Sequence, residues 1–176
     1  MIKYIALFRG INVGGNNVIP MSELKELLSK CNFEDVKTYI QSGNVVFSTA
    51  ITDWKIIERK IKQAVEAKNN FKPDVIVIDS NKLEKMIEEN PFPCDNGKLL
   101  HFFILKSSPD NPDLQELESL KTNGEEFLLL KDIFYLYAPN GIGRSKLASS
   151  IEKSLGVSLT ARNWNTINKL SSMVNE

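Results

Sequence analysis

An α+β fold made of two ferredoxin-like βαββαβ units, each followed by a helix, is what the sequence predicts. Three observations carry that expectation. Strand-like and helix-like apolar periods alternate along the chain. Each half holds a hairpin signal between its second and third strands. The order of elements in residues 1–91 then recurs in residues 92–176. Strand, helix, strand, strand, helix, strand is the split βαβ arrangement, with helices on one face of an antiparallel sheet.

In the first half, residues 3–8 form a short apolar run closed by Arg9-Gly10, suited to a central strand. A loop rich in Gly and Asn follows. Leu24, Leu27, Leu28 and Cys31 then recur at i, i+3, i+4 and i+7, the stripe of an amphipathic helix. Residues 36–40 and 45–47 are strand-like runs separated by Gln41-Ser42-Gly43-Asn44, a turn signal. Trp54, Ile57, Ile61, Ala64 and Val65 mark a second helix with Asp53 as its N-cap. Residues 74–78 read as a strand. Leu83, Met86 and Ile87 mark a third helix that Asn90-Pro91 stops.

The second half repeats the order. Residues 99–105 read as a strand, and Leu114, Leu117 and Leu120 as a helix. Residues 126–130 and 133–137 flank Lys131-Asp132 as a hairpin. Leu147, Ile151 and Leu155 give a helix starting near Ser145. A weak strand at 159–162 and a helix carrying Trp164, Ile167, Leu170 and Val174 close the chain. The division between the halves is expected at residues 91–97, where two prolines and a glycine interrupt the periodicity. The halves repeat a pattern of elements; their residues barely correspond.

Composition narrows the function classes. Of 176 residues 42% are hydrophobic and 25% charged, enough for a sizeable core without a disulfide or metal staple. Lys plus Arg and Asp plus Glu number 22 each, so no whole-protein field attracts nucleic acid or a membrane surface. The N-terminus reads as a first strand, not a signal peptide, and no apolar run is long enough to span a bilayer. Cys31, on a helical stripe, and Cys94, in a linker, are expected to be free thiols in a reducing, cytosolic compartment.

Three segments stand out by residue type: Arg9-Gly10-Ile11-Asn12-Val13-Gly14-Gly15-Asn16, Thr38-Tyr39-Ile40-Gln41-Ser42-Gly43-Asn44-Val45-Val46-Phe47, and Arg162-Asn163-Trp164-Asn165-Thr166. Together they resemble a bacterial family catalogued as domain of unknown function 1697, and Gly143-Arg144-Ser145-Lys146-Leu147 fits the same pattern. The resemblance implies a duplicated α+β fold and supplies no catalytic residues.

The topology sorts these motifs into two polar clusters. In a ferredoxin-like unit the first and second strands run the same way, so residues 9–17 and 41–44 fall at one sheet edge. Gly10, Gly14 and Gly15 permit positive φ, so backbone amides there can form an anion nest. Arg9 adds a fixed charge, and Asn12, Asn16, Gln41, Ser42 and Asn44 add neutral donors and acceptors. A phosphate-binding P-loop is excluded, because Asn16-Asn17 stands where Lys-Ser/Thr is required and Pro20 precedes the helix. The same residues fit a Gly-rich crossover whose asparagines satisfy their own backbone better than they fit a ligand site, and a protein-contact patch is the remaining alternative. In the second half the third and fourth strands end together, bringing residues 139–146 toward 162–165. There Ser145 starts a helix, and Arg144, Lys146, Arg162, Asn163 and Asn165 offer charge and hydrogen bonds to an anion at its N-terminus. An ordinary capped helix with solvated cations fits as well. Trp164 suits the first core position of the last helix better than a stacking surface. Convergence of both clusters in one cleft is the strongest form of this expectation.

Other chemistries are absent. The single histidine, His101, sits inside a strand, no G-x-S-x-G elbow occurs, and neither cysteine has metal-ligand spacing. No metal or cofactor is implied. The strand at 42–49 lacks the basic-aromatic alternation of base-stacking sheets, which argues against nucleic acid. What remains is an anionic small molecule, phosphate-bearing ones included, recognised by the polar loops. The alternative is a non-catalytic protein-interaction module using the same loops.

Overall fold

Eight strands and six helices follow one another in a computed structural model that describes residues 1–176. They are β1 (Ile2–Arg9), α1 (Met21–Lys30), β2 (Glu34–Tyr39), β3 (Asn44–Thr49), α2 (Trp54–Asn69), β4 (Asp74–Asp79) and α3 (Ser80–Glu88) in the first half. The second half holds β5 (Leu100–Leu105), α4 (Leu114–Ser119), β6 (Glu126–Leu130), β7 (Ile133–Tyr137), α5 (Lys146–Leu155), β8 (Leu159–Asn163) and α6 (Trp164–Asn175). Two four-stranded antiparallel sheets result, ordered β2-β3-β1-β4 and β6-β7-β5-β8. Renumbered within each half, both orders read 2-3-1-4, which is the ferredoxin-like order. The fold is α+β with two similar units, each followed by a helix.

Local chemistry explains the elements. Asp53 caps α2 by accepting from the Lys55 amide at 2.8 Å, and Ser145 caps α5 by accepting from the Ala148 amide at 3.0 Å. Pro20 occupies the position before α1, its fixed φ leading into the helix while its carbonyl accepts from the Leu24 amide. Each helix stripe meets its sheet. Leu24 and Leu28 of α1 and Ile57, Ile61 and Val65 of α2 are buried with Tyr4, Ala6 and Phe8 of β1. Ile5 and Leu7, alternating with them, are buried on the other face. In the second sheet Phe103, Leu105, Phe134 and Leu136 share a core with Leu117, Leu147, Ile151 and Leu155. Each fully buried side chain of this size contributes about 1.5–3 kcal/mol. Trp54 departs from its stripe. At the first turn of α2 it stays exposed, with Lys55 Nζ 5.6 Å from its ring centre.

The chain groups into two compact units, Met1–Lys85 with Lys169–Glu176, and Met86–Asn168. The sequence reading puts the division at 91/92. The grouping differs because two helices serve both units. The Met86 carbonyl of α3 accepts from the Tyr135 hydroxyl at 3.0 Å within the second unit. In α6, Trp164 stacks on Phe102 in the second unit, while the Val174 carbonyl accepts from Lys3 Nζ in the first. No helix is long and apolar enough to cross a membrane.

Candidate functional site

The first polar cluster forms where β1 and β2 end. Pairing sets the geometry: Asn44 lies opposite Leu7 on one side and Tyr39 on the other. The Gly43 carbonyl accepts from the Phe8 amide at 2.9 Å, tying the turn to β1. Asn12 closes the loop. Its side-chain amide donates to the carbonyls of Ile19 and Gln41, both at 2.9 Å, and its oxygen accepts from the Ile19 amide at 2.8 Å. Both donor hydrogens and the oxygen of Asn12 are therefore committed to the loop itself. Asn17 donates to the Gly10 carbonyl at 3.1 Å. Asn44, fully buried, donates to the Tyr39 carbonyl and the Ser42 hydroxyl. Arg9 lies 4.0 Å from Asp74, with both side chains partly exposed. Gly14, Gly15, Asn16, Gln41 and Ser42 face solvent. So do the apolar side chains of Val13, Val18 and Ile40, which belong to the two segments Asn12 joins. Ile40 is also a β-branched residue at φ 49°, a strained conformation for that side chain.

The second cluster forms at the start of β5, where β7 and β8 both end: Leu100 lies opposite Tyr137 and His101 opposite Asn163. The chain leaving β7 is held by the Ala138 amide on the Leu99 carbonyl at 2.8 Å, and then turns into α5. A cleft of about 500 Å³ opens at this corner, lined by Asn140, Gly141, Gly143, Arg144 and Ser145 together with Thr122, Asn123 and Glu125. Arg144 is exposed. The first amides of a helix have no partner within it, so the α5 N-terminus presents donors here. Glu125 is buried, and its carboxylate accepts from the Thr122 amide at 3.0 Å and the Thr122 hydroxyl at 3.3 Å. Asn140 donates to the Asn123 carbonyl at 3.3 Å. Neither Arg144 nor Glu125 takes part in an ion pair.

Residues 162–165 share that sheet edge but do not line the cleft. The Arg162 guanidinium is buried and donates to the Thr160 hydroxyl at 2.9 Å and the Ala161 carbonyl at 2.7 Å. Burial pulls its pKa down to about 10, so it remains charged at neutral pH. Asn163 accepts from the Thr166 amide at 3.0 Å, acting as a cap for α6. Trp164 stacks on Phe102 with ring centres 5.9 Å apart, and Asn165 packs against Gly97. The polar character of this motif thus serves a strand-to-helix junction. Thr122, Asn123 and Glu125 were not singled out from the sequence. The signal available was Asn123-Gly124, a turn dipeptide just before β6.

His101 is buried, with Nε2 3.0 Å from the Lys98 carbonyl, and burial lowers its pKa against the opposing pull of that hydrogen bond. Cys31 and Cys94 are both free. Burial raises both thiols; Cys31 is only partly offset by Lys60, and Asp95 raises Cys94 further. Neither is therefore an activated nucleophile.

With the strand order and the loop geometry in place, the match to known proteins is decisive for the family. Residues 1–135 match the family described as Protein of unknown function (DUF1697). The chain belongs to that family. The match contains the Arg9-to-Asn16 and Thr38-to-Phe47 motifs and runs through the middle of the chain; the Arg144 and Arg162 motifs lie beyond it. Among solved structures, the chain is similar to the conserved bacterial protein SP0830 from Streptococcus pneumoniae. The two are 23% identical, with a TM-score of 0.68 and 98% of each chain covered. That likeness bears on the fold. A search of curated proteins finds no match.

Proposed function

We propose that this family member is a cytosolic protein that binds an anionic small molecule, phosphate esters among the candidates, in the cleft at the N-terminus of α5. The carrying observation is the pairing of an exposed Arg144, without an ion-pair partner, with a capped helix N-terminus on one cleft of about 500 Å³. A guanidinium matches the fork of a phosphate or carboxylate, and the helix end adds amide donors and its dipole. The Glu125 carboxylate on the same cleft already accepts from Thr122, and its further acceptor capacity suits a ligand bearing an amine, amide or hydroxyl beside its anionic group. Two free thiols support a reducing compartment. One topology repeated in both halves supports descent by tandem duplication. The balance of charges continues to argue against nucleic acid.

A second reading has its own observation. Val13, Val18 and Ile40 are exposed on the first cluster, and Asn12, Asn17 and Asn44 are spent on holding that loop in shape. Such a surface suits protein contact better than an anion nest.

Thermal shift against a panel of phosphorylated and carboxylated metabolites tests the first reading, since a ligand of the native state raises the melting temperature. For any hit, Arg144→Ala should weaken binding roughly ten- to a hundredfold, the cost of one charge-assisted contact of about 1.5–3 kcal/mol. Hits that ignore Arg144→Ala, or a panel without hits, would reject this cleft.

A further inference from the structure

The sequence holds three Asn-Gly pairs, Asn96-Gly97, Asn123-Gly124 and Asn140-Gly141, all in the second unit. Glycine after asparagine leaves the next main-chain nitrogen unshielded, so once that nitrogen loses its proton it can attack the side-chain amide carbon. The fold treats the three pairs differently. Gly97 is buried against Trp164 and Asn165, and the Asn96 side-chain oxygen accepts from the Lys98 amide at 3.3 Å. The Gly141 amide donates to the Ala138 carbonyl at 2.9 Å, and the Asn140 side chain donates to the Asn123 carbonyl at 3.3 Å. A main-chain amide that is buried or hydrogen-bonded gives up its proton only when the structure opens. Asn123 and Gly124 have neither protection. They are the exposed central residues, at φ 49° and 80°, of a turn that the Glu125 amide closes on the Thr122 carbonyl at 3.0 Å. The closing bond leaves out the amide of the third residue, and neither the Gly124 amide nor the Asn123 side chain has a hydrogen-bond partner.

We propose that Asn123 is a site of spontaneous deamidation, and that the charge this creates lowers the anion affinity of the cleft at the α5 N-terminus. Solvent base takes the Gly124 amide proton, and the nitrogen bonds to Asn123 Cγ. The bond from Cγ to the side-chain nitrogen breaks, ammonia leaves with a proton regained from solvent, and a cyclic imide remains. Water opens the imide at either carbonyl, giving aspartate or isoaspartate. Either product carries a carboxylate where a neutral amide stood, on the cleft that Arg144 and Ser145 line. That carboxylate repels an anion bound there. Isoaspartate also adds a methylene to the main chain of the turn that holds the Thr122 amide and hydroxyl on the Glu125 carboxylate. The effect on affinity rests on the anion site proposed above; the deamidation rests only on the turn.

Incubation of the folded full chain in mildly alkaline buffer, beside a sample unfolded in urea, is the test; peptide mapping by mass spectrometry reads the fraction converted at each pair. In urea the three pairs should convert at similar rates. In the folded chain Asn123 should convert first, with Asn96 and Asn140 lagging well behind their rates in urea. Folded-state conversion led by Asn96 or Asn140, or a folded chain whose three rates stay as close together as in urea, overturns the assignment of the site. Asn123→Asp supplies the aspartate product in homogeneous form, with circular dichroism confirming that it folds. It should raise the Kd for pyrophosphate several-fold, while Asn96→Asp, off the cleft, leaves that Kd unchanged. An Asn123→Asp variant that binds as tightly as the wild type, or an Asn96→Asp variant that loses as much, overturns the effect on the cleft. A wild type that fails to bind pyrophosphate rejects the anion site and the effect on affinity with it; the comparison of folded and unfolded chains still decides the deamidation.

Discussion

Gly43 holds the turn between β2 and β3 against the end of β1, and Gly43→Ala probes that contact directly. A methyl added there would lie 2.7 Å from Phe8 Cβ and 2.5 Å from Ile11 Cδ1, on a backbone at φ +77°. Ile11 Cδ1 is the far end of a side chain and can swing away. Phe8 Cβ cannot, because it is bound to a main chain fixed by pairing to β3 and β4. Two costs add: about 1 kcal/mol for an alanine in the left-handed region, and about 1–3 kcal/mol for forcing a packed strand to shift. The sum, about 2–4 kcal/mol, is a large share of the roughly 5–15 kcal/mol that holds a typical domain. Urea unfolding followed by fluorescence measures it; with a slope near 2 kcal/mol/M the midpoint should fall by about 1–2 M. Gly15→Ala is the control. Gly15 has φ +76° but open space around it, so only the backbone cost of about 1 kcal/mol applies. Equal losses at the two positions, or a Gly43→Ala variant within about 0.5 kcal/mol of the parent, would refute the packing argument.

Asn12→Ala should cost about 3 kcal/mol in the same assay, since it removes three hydrogen bonds and places alanine at φ 56°; an unchanged midpoint would mean that the loop is held elsewhere. His101 should make the protein acid-sensitive. Its folded pKa lies below the usual 6.5, so as pH falls through that value the unfolded chain takes up a proton that the folded chain refuses, and stability drops until the folded ring protonates. His101→Gln should flatten this part of a melting-temperature profile between about pH 7 and pH 5, and an unaltered profile would show that other groups set it. Both cysteines should react with a thiol reagent in the unfolded protein without prior reduction, and slowly in the native one.

Much of the fold was legible in the sequence because local and long-range signals agree. The Leu24–Leu28 and Ile57–Ile61–Val65 spacings, the caps Asp53 and Ser145, and the hairpin around Lys131-Asp132 each sit where pattern and structure coincide. The 2-3-1-4 strand order then follows from the βαββαβ succession. The site was less legible, for a physical reason. Residue type reports what a side chain can bond, not which partner it finds. Asn12, Asn44 and Asn163 were read as groups able to face a ligand, and each bonds to nearby main chain instead. Arg162 is polar and basic in sequence, yet it lies buried on its own strand. Glu125 was overlooked because a lone acidic residue beside a turn carries no period and no motif. Only the folding of residues 122–125 back toward the α5 N-terminus gives it a place in the cleft.

Anion binding in the cleft at the α5 N-terminus is tested most directly by amide chemical-shift mapping during a pyrophosphate titration. Pyrophosphate should move the amide signals of Gly143, Arg144, Lys146 and Leu147 in a saturable way, and Arg144→Ala should raise the apparent Kd at least tenfold, as loss of about 1.4 kcal/mol or more requires. Saturable shifts confined to residues 10–17 and 41–43, or none at the start of α5, would contradict the proposed site.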